Sequence, residues 1–513
     1  MGQPKVMRTI ANSDGTSCRH ATERHGSRQT QSMTSVDVTP NQNDKVLSRL
    51  PADATDPCVH CGFCLPTCAS YRVLGTEMDS PRGRIHTLKA IDNGELELDA
   101  TVASHFDSCL GCFACVSACP SGVRYDQLIE ATRPLLNQAE LRSPCQNHFR
   151  QVLLKLLPYP GRLRALLQPL RAYAGTPIQA LSRRLGINKI LGPQLEAMEA
   201  LLPALAAENF QDDLQVLHPA TGQRRSRVGL VLGCVQRCFD PNVNQATIAV
   251  LQANGFEVVV PKDQGCCGAV SHHQGQLNQT RELAETLVKS FANVVGPGRP
   301  AGAEPLEAVL VAASGCGHTM KAYGELLNAT ASFNIPVFDV HEFLAEHGLD
   351  SNFQQKLQPL AHHNGQPASP QTPLKVAYHD ACHMIHGQGI QAQPRQLLKA
   401  IPHLVLSEAT EAGVCCGSAG IYNLVNPQEA AELGRIKVAD LSNTGAELIA
   451  SANIGCTLQL RRHLDGDVAV AHPMELLACA AGLHQSPGIQ KGLRITKISR
   501  EGKDRQINQA ISS

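Results

Sequence analysis

The chain contains two stretches with the same cysteine spacing, CVHCGFCLPTCA at residues 58–69 and CLGCFACVSACP at residues 109–120. Each has the pattern Cys-x2-Cys-x2-Cys-x3-Cys, which is typical of loops that bind 4Fe-4S clusters. In paired runs, three thiolates of one run hold a cluster and the fourth reaches across to the other cluster. The predicted ligands are Cys58, Cys61, Cys64 and Cys119 for cluster 1, and Cys68, Cys109, Cys112 and Cys115 for cluster 2.

Zinc is the alternative metal for these runs. Zinc sites pair cysteines as Cys-x2-Cys in tetrahedral sets of four and do not need a third Cys-x2 step. Two complete runs, with Pro120 directly after the second, favour iron. The first run is followed by Ala69 instead of proline, but this position supplies no ligand.

Composition limits the class of protein. The 513 residues include 45 basic and 45 acidic side chains and no Trp, which argues against a nucleic-acid-binding surface. Twenty cysteines without a signal-peptide pattern predict reduced thiols and thiolate ligands in a cytoplasmic protein. No apolar stretch reaches the roughly 18 residues of a membrane-spanning helix, so any membrane contact is expected to be peripheral.

The C-terminal half repeats a pattern of cysteines. A strand-like run ends near Cys234 and is followed by a Cys-Cys-Gly triplet and a Gly-Cys pair, and the same order returns after residue 374. The matching cysteines are separated by 148, 149 and 140 residues. The candidate cluster or redox cysteines are Cys234, Cys266, Cys267, Cys316, Cys382, Cys415, Cys416 and Cys456.

Each copy alternates short β-branched strands with helical stretches, which predicts an α/β domain with a mostly parallel sheet. Ligands of such sheets gather beyond the carboxyl ends of the strands, where the repeated cysteines fall. Neighbouring cysteines in a glycine-containing bend suit a larger cluster or a redox thiol pair, and buried packing residues are the alternative. Five histidines near cysteines are interpreted as hydrogen-bond donors to sulfur and not as ligands: His60, His272, His273, His379 and His383.

Two further segments carry positive charge. Residues 80–85, SPRGRI, predict a turn whose arginines offset the anionic clusters, receive a partner, or are simply solvated. Residues 141–195 form Leu-rich helical segments broken by prolines, with nine basic residues and no acidic one. That segment can lie on an anionic membrane, dock an acidic partner, or act as a solvated linker.

The repeats resemble the cysteine-rich CCG domains of heterodisulfide-reductase-type electron-transfer subunits. The whole arrangement, from the two cluster runs to the two Cys-Cys-Gly repeats, is similar to the iron-sulfur subunits of glycolate oxidase. The resemblance implies an α+β and α/β multidomain fold, with a helical two-cluster ferredoxin-like module before two α/β CCG domains. The implied domains are a disordered extension (1–50), the two-cluster domain (51–135), a basic helical linker (136–225), the first CCG domain (226–350), a linker (351–373), the second CCG domain (374–485) and a tail (486–513).

The resemblance also implies a function. The chain would carry electrons from flavoprotein partners, which bind FAD and oxidise glycolate to glyoxylate, to a quinone or another membrane carrier. It would be cytoplasmic, or peripheral on the cytoplasmic face of the membrane. Each repeat has four of the five cysteines of the fullest CCG motif, so an additional cluster there stays open. The alternatives are the subunit of a lactate or glycerol 3-phosphate dehydrogenase, a thiol/disulfide subunit, and a redox sensor or scaffold.

Overall fold

The computed structural model describes residues 54–295, 304–327, 335–464 and 468–484. The predicted disordered extension at 1–50 and the predicted tail at 486–513 lie outside these described residues. Within them, no helix combines the length and the apolar character needed to cross a membrane.

Short helices surround the two cysteine runs. Ile85, Ile91 and Phe106 are buried between these helices and form the core of the two-cluster region. The helices are α1 (Ala69–Leu74), α2 (Pro81–Asp92), α3 (Ala100–Asp107), α4 (Ala114–Ser117) and α5 (Tyr125–Gln138), with a 3-10 helix at Glu77–Asp79. The cysteines therefore lie on loops and helix ends that a small apolar core holds in place.

The turn predicted for residues 80–85 is wrong, because these residues begin α2. The Ser80 side chain accepts a hydrogen bond of 3.0 Å from the backbone N–H of Gly83, and Pro81 occupies the first turn. Ser followed by Pro is a helix-start signal as much as a turn signal, since proline is tolerated where the N–H needs no partner. A Cβ atom at Gly83 would lie 2.0 Å from the carbonyl oxygen of Glu77, so the close approach of the two segments requires glycine.

The linker is helical, and its prolines mark helix starts. Leu163, Leu167 and Leu202 pack with Cys238 into a small core of their own. The helices are α6 (Pro144–Leu156), α7 (Pro160–Leu167), α8 (Pro177–Leu185) and α9 (Pro193–Ala200), with 3-10 helices at Pro169–Ala172, Ile187–Leu191 and Ala207–Phe210. Each of the four α-helices begins at a proline, which is pre-organised for the first helical position.

The C-terminal half contains two sheets whose four parallel strands follow the same order. The first is β1-β3-β2-β4-β5, parallel except for β1, and the second is β7-β6-β8-β9, entirely parallel. The strands are β1 (Leu217–His218), β2 (Ser226–Val231), β3 (Phe256–Val259), β4 (Ala308–Val311), β5 (Val337–Asp339), β6 (Leu374–His379), β7 (Leu404–Ser407), β8 (Leu448–Ser451) and β9 (Ala469–Ala471). Helices cover these sheets, which explains the nearly continuous apolar strands. The predicted α/β repeat is confirmed.

The helices of the two repeats pack against one another. In the first half they are α10 (Gln236–Phe239), α11 (Asn242–Ala253), α12 (Ala269–His273), α13 (Leu277–Val295), α14 (Ser314–Lys321), α15 (Tyr323–Leu326), α16 (Val340–His347) and α17 (Ser351–Lys356). In the second half they are α18 (Cys382–Gln388), α19 (Ala392–Lys399), α20 (Tyr422–Val425), α21 (Pro427–Ser442), α22 (Ile454–His463) and α23 (Pro473–Ala480). Helix α11 contacts α23 and α16 contacts α19, so the two sheets share one apolar core.

The two-cluster region sits on this pair of sheets. Helix α1 contacts α21, and α4 contacts α18, whose first residue is Cys382. An ion pair of 2.7 Å between Arg72 and Glu411 joins the same two parts. The cysteine loops therefore lie at the carboxyl edge of the second sheet, next to its repeated cysteines. The domain boundaries inferred from the sequence stay predictions.

Candidate iron-sulfur sites

The four cysteines predicted for cluster 1 line one cavity. Cys58, Cys61, Cys64 and Cys119 surround it, and Cys115, which is predicted for cluster 2, also lines it. Positive φ angles at His60 and Gly62, 54° and 85°, bend the loop so that its cysteines converge. Burial raises the pKa of the Cys64 thiol to about 11. A cluster binds the deprotonated sulfur, so binding there would release the proton of this thiol.

The four cysteines predicted for cluster 2 line a second cavity. Cys68, Cys109, Cys112 and Cys115 surround it, although Cys68 belongs to the first run. The backbone N–H of Gly111 lies 3.4 Å from Cys109 Sγ, and the Tyr125 hydroxyl lies 3.7 Å from the same sulfur. Each predicted set of four cysteines thus lines one cavity, and Cys115 lines both cavities. The identity of the ligands stays a prediction.

Arg84 lines this second cavity and is fully buried. Its guanidinium donates to Ser108 Oγ at 2.7 Å and to the carbonyl oxygen of His105 at 2.6 Å. It also reaches Ser70 Oγ, which lies 3.3 Å from Cys68 Sγ. A buried cation needs compensating negative charge, and Asp79 at 3.5 Å supplies part of it. An anionic cluster would supply the rest.

The repeated cysteines form two quartets at the carboxyl ends of the strands. In the first quartet, Cys234 Sγ and Cys266 Sγ are 3.2 Å apart, and in the second, Cys382 Sγ and Cys415 Sγ are 3.9 Å apart. The first quartet is Cys234, Cys266, Cys267 and Cys316, and the second quartet is Cys382, Cys415, Cys416 and Cys456. Most of these thiols are buried, and none of the eight is exposed. Each quartet therefore offers closely spaced sulfur atoms shielded from water.

One position beside the quartets differs between the repeats. His379 ends β6, and the equivalent end of β2 is Val231. The His379 ring lies with the sulfur atoms of Cys416 and Cys456 in a group whose ligand atoms are all within 4.8 Å of one another. Burial, with Lys437 nearby, lowers the pKa of His379 to about 3, so this ring is neutral near pH 7.

A cavity of about 150 Å³ separates the first quartet from the second cysteine run, residues 109–120. Its walls carry Phe113 and four histidines, and the Phe113 and His383 rings stack with centroids 5.0 Å apart. The histidines are His272, His273, His318 and His383. This cavity is the place where the two-cluster region and both repeats meet.

The hydrogen bonds of these histidines do not go to sulfur. His383 Nε2 lies 2.9 Å from the carbonyl oxygen of Gly111, and His273 Nδ1 lies 3.3 Å from Arg133 Nη1. His272 Nε2 is 3.4 Å from the Glu130 carboxylate. Within the described part of the chain, the ring nitrogens of His272, His273 and His383 that have a partner contact oxygen or nitrogen, and the interpretation of these residues as donors to sulfur stays a prediction.

Glu130 is a cavity residue that the sequence analysis missed. Burial alone would raise its pKa, but His272 and His318 outweigh that effect and hold the pKa of the carboxyl well below its usual range. Glu130 follows the second cysteine run by eleven residues on α5, and no local motif marks it. Only the packing of α5 against the first repeat brings its carboxylate to the histidines.

Comparison with known proteins agrees with this arrangement. Residues 54–123 match the family described as a 4Fe-4S dicluster domain, and residues 228–321 and 376–461 match the cysteine-rich domain CCG. Residues 146–202 match the linker region of the glycolate oxidase iron-sulfur subunit. The chain is 34% identical over 432 residues to the probable glycolate oxidase iron-sulfur subunit of Bacillus subtilis, covering 83% of this chain and 94% of the relative. It belongs to the family of glycolate oxidase iron-sulfur subunits.

Other relatives extend the comparison. The glycolate oxidase iron-sulfur subunit of Escherichia coli is 32% identical over 421 residues, with 82% of this chain and 92% of the relative covered. One subunit of the fumarate reductase (CoM/CoB) of Methanothermobacter marburgensis is 28% identical over 404 residues, covering 72% of each chain. Membership of the family confirms the resemblance drawn from the two cluster runs and the CCG repeats, and with it the iron-sulfur character of the chain.

Proposed function

We propose that this chain is the electron-carrying subunit of a complex that oxidises glycolate to glyoxylate. The observation that carries the proposal is the pair of cavities, lined by five and by four cysteines that come from both runs. Two 4Fe-4S clusters bound there would supply one-electron redox chemistry. The names of the relatives support glycolate as the substrate of the complex.

The hydride chemistry belongs to partner subunits in this proposal. No Gly-x-Gly-x2-Gly fingerprint follows a strand of this chain, so FAD is assigned to a separate flavoprotein. The first cysteine loop is the part of the two-cluster region suited to meet it, because Val59 and Phe63 expose 69% and 65% of their surface there. Exposed apolar side chains around a redox loop favour a protein contact.

The acceptor in this proposal is a quinone or another membrane carrier, reached from the cytoplasmic face. The linker offers a surface for such a contact, defined here as the linker patch: Ile178, Leu181, Leu185, Ile187 and Ile190. All five side chains are exposed, Ile190 to 84%. Arg184 and Lys189 are exposed beside them, and this combination suits the interface of an anionic bilayer.

Part of the positive charge of the linker is already used inside the protein. Arg142 and Arg150 pair with Asp107, Arg164 pairs with Asp212, and Arg183 pairs with Glu199. Arg184 and Lys189 take no part in these ion pairs and lie next to the linker patch. Their positive charge favours contact with an anionic membrane over the role of a solvated linker.

The test is to capture the chain with its partners from native cells without oxygen and to follow dye reduction with three substrates. Fast reduction by glycolate is the expected result. Reduction only by lactate or glycerol 3-phosphate would contradict the glycolate assignment, and reduction by none of the three would contradict the dehydrogenase complex. The captured complex with Cys112→Ser is the matched control, since it should bind the same partners but pass fewer electrons to the dye.

A further inference from the structure

The two cysteine quartets are equivalent in position but not in their surroundings. In the first repeat, the last paired residues of β2 and β4 are Val231 and Val311. In the second repeat, the last paired residues of β6 and β8 are His379 and Ser451. Two apolar side chains beneath the first quartet are thus replaced by two polar ones beneath the second. A polar pair in a fully buried position needs a partner that the first repeat does not need.

The His379 ring has no partner among the described protein atoms. Both of its ring nitrogens are buried without a hydrogen bond, and the Ser451 hydroxyl is in the same condition. Other buried histidines nearby are bonded: His383 to the carbonyl oxygen of Gly111 and His472 to that of Ala312. Burying an imidazole with neither nitrogen satisfied is unfavourable, so the position of His379 points to a group that binds it.

The sulfur atoms of the second quartet are the neighbours that such a group would share with His379. The His379 ring nitrogen and the sulfur atoms of Cys416 and Cys456 all lie within 4.8 Å of one another, and all three side chains are buried. Imidazole and thiolate are both good ligands for iron and zinc. The second repeat lacks a cysteine three residues after Cys456, where residue 459 is Gln.

We propose that His379 is a nitrogen ligand of an iron-sulfur group held by the second quartet, Cys382, Cys415, Cys416 and Cys456. The first quartet would then be a thiolate-only site, because Val231 cannot bind metal. This inference rests on the proposed function, since it assumes that the CCG repeats of this electron carrier hold iron. It replaces the interpretation of His379 as a hydrogen-bond donor to sulfur.

The use of a neutral imidazole as the fifth ligand of the second site, in place of a fifth thiolate, has a redox consequence. A site with four thiolates and one imidazole carries less negative charge than a site with five thiolates, and histidine ligation raises the reduction potential of iron-sulfur centres. Lys437 adds a buried cation beside the same quartet, where its ammonium donates to the carbonyl oxygens of Glu411 and Ala412. A fifth thiolate at position 379 would therefore make the second site harder to reduce than the imidazole does.

The experiment is pulsed EPR on the anaerobically purified full chain, grown once with ordinary histidine and once with ¹⁵N-histidine. A strong nitrogen coupling that changes with the label is expected in the wild type. The two predicted cubane ligand sets contain only cysteine, so they cannot produce this coupling. His379→Val, which installs the residue of the first repeat, should abolish the coupling and lower the iron content. His386→Gln, on α18 of the same repeat, is the matched control and should keep both.

His379→Cys separates ligation from folding. This variant should retain iron, lose the nitrogen coupling and shift the potential of the site downwards in a redox titration. Absence of labelled nitrogen coupling in the wild type, or its survival in His379→Val, would overturn the proposal. A wild-type iron content of about eight, accounting for the two cubanes alone, would also overturn it. Reduction of the cubanes by glycolate in the captured complex is measured separately, so failure of the His379 assignment remains distinct from failure of the proposed function.

Discussion

At the scale of single residues, Arg84 links protein stability to the potential of cluster 2. It is completely buried and bonded to Ser108, Ser70 and the backbone of His105. Removing it as Arg84→Gln takes a cation away from the anionic cluster and leaves Asp79 with less compensation. We expect a lower potential for cluster 2 in a redox titration and a loss of about 3 kcal/mol in the free energy of unfolding. Arg82→Gln, on the exposed side of the same helix, should leave the potential of cluster 2 unchanged.

The exchange of fourth ligands gives a second prediction at this scale. Cys68 belongs to the first run but lines the cavity of cluster 2, and Cys119 belongs to the second run but lines that of cluster 1. Cys68→Ser should therefore weaken the EPR signal of cluster 2 and spare that of cluster 1, and Cys119→Ser should do the reverse. Loss of the cluster 1 signal in Cys68→Ser would contradict the exchange. Alanine at Cys238, a buried cysteine outside both cavities, is the control and should keep both signals.

At the scale of elements, α8 and the 3-10 helix at Ile187–Leu191 carry the linker patch that we propose as the membrane contact. Burying the exposed side chain of Ile190 in a bilayer interface is favourable, and each basic side chain near an anionic surface adds about 1 kcal/mol. Ile190→Asp and Arg184→Gln should each reduce sedimentation with anionic vesicles, and added salt should weaken only the contribution of charge. Val405→Asp, at an exposed apolar position of β7, should bind vesicles like the wild type. Equal vesicle binding by the wild type and all three variants would exclude the linker patch as the membrane contact.

At the scale of the whole molecule, the two repeats share a core and should unfold together. Phe343 on α16 is completely buried in the cluster of side chains that also contains Leu397 of α19 and Leu476 of α23. Phe343→Ala should lower the free energy of unfolding by about 3–5 kcal/mol, because it leaves a cavity in that core. Calorimetry should show one shifted transition for both repeats. Two separate transitions, with only one of them shifted, would contradict a shared core.

The local sequence determined those elements of this protein whose residues recur at a regular spacing. Eight cysteines at fixed intervals predicted the two cavities, and the repeat of Cys-Cys-Gly after β-branched runs predicted two α/β units with cysteines at their strand ends. These features are readable because a metal loop and a parallel strand impose short-range patterns. The interpretation of Ser80 and Pro81 as a turn was wrong because these two residues are locally compatible with either a turn or a helix start. The packing of Gly83 against Glu77 selects the helix.

The tertiary structure alone decided which distant residues meet. Glu130 reaches His272 and His318, Arg84 reaches Ser108, and His379 reaches Cys416 and Cys456 through contacts between elements far apart in the chain. No sequence pattern fixes such pairs, because they depend on how the helices and sheets pack and on which polar groups that packing removes from water. The cysteine motifs and the order of the domains could therefore be predicted from the sequence. The charged groups and ring nitrogens that surround the cysteines were determined only by the tertiary structure.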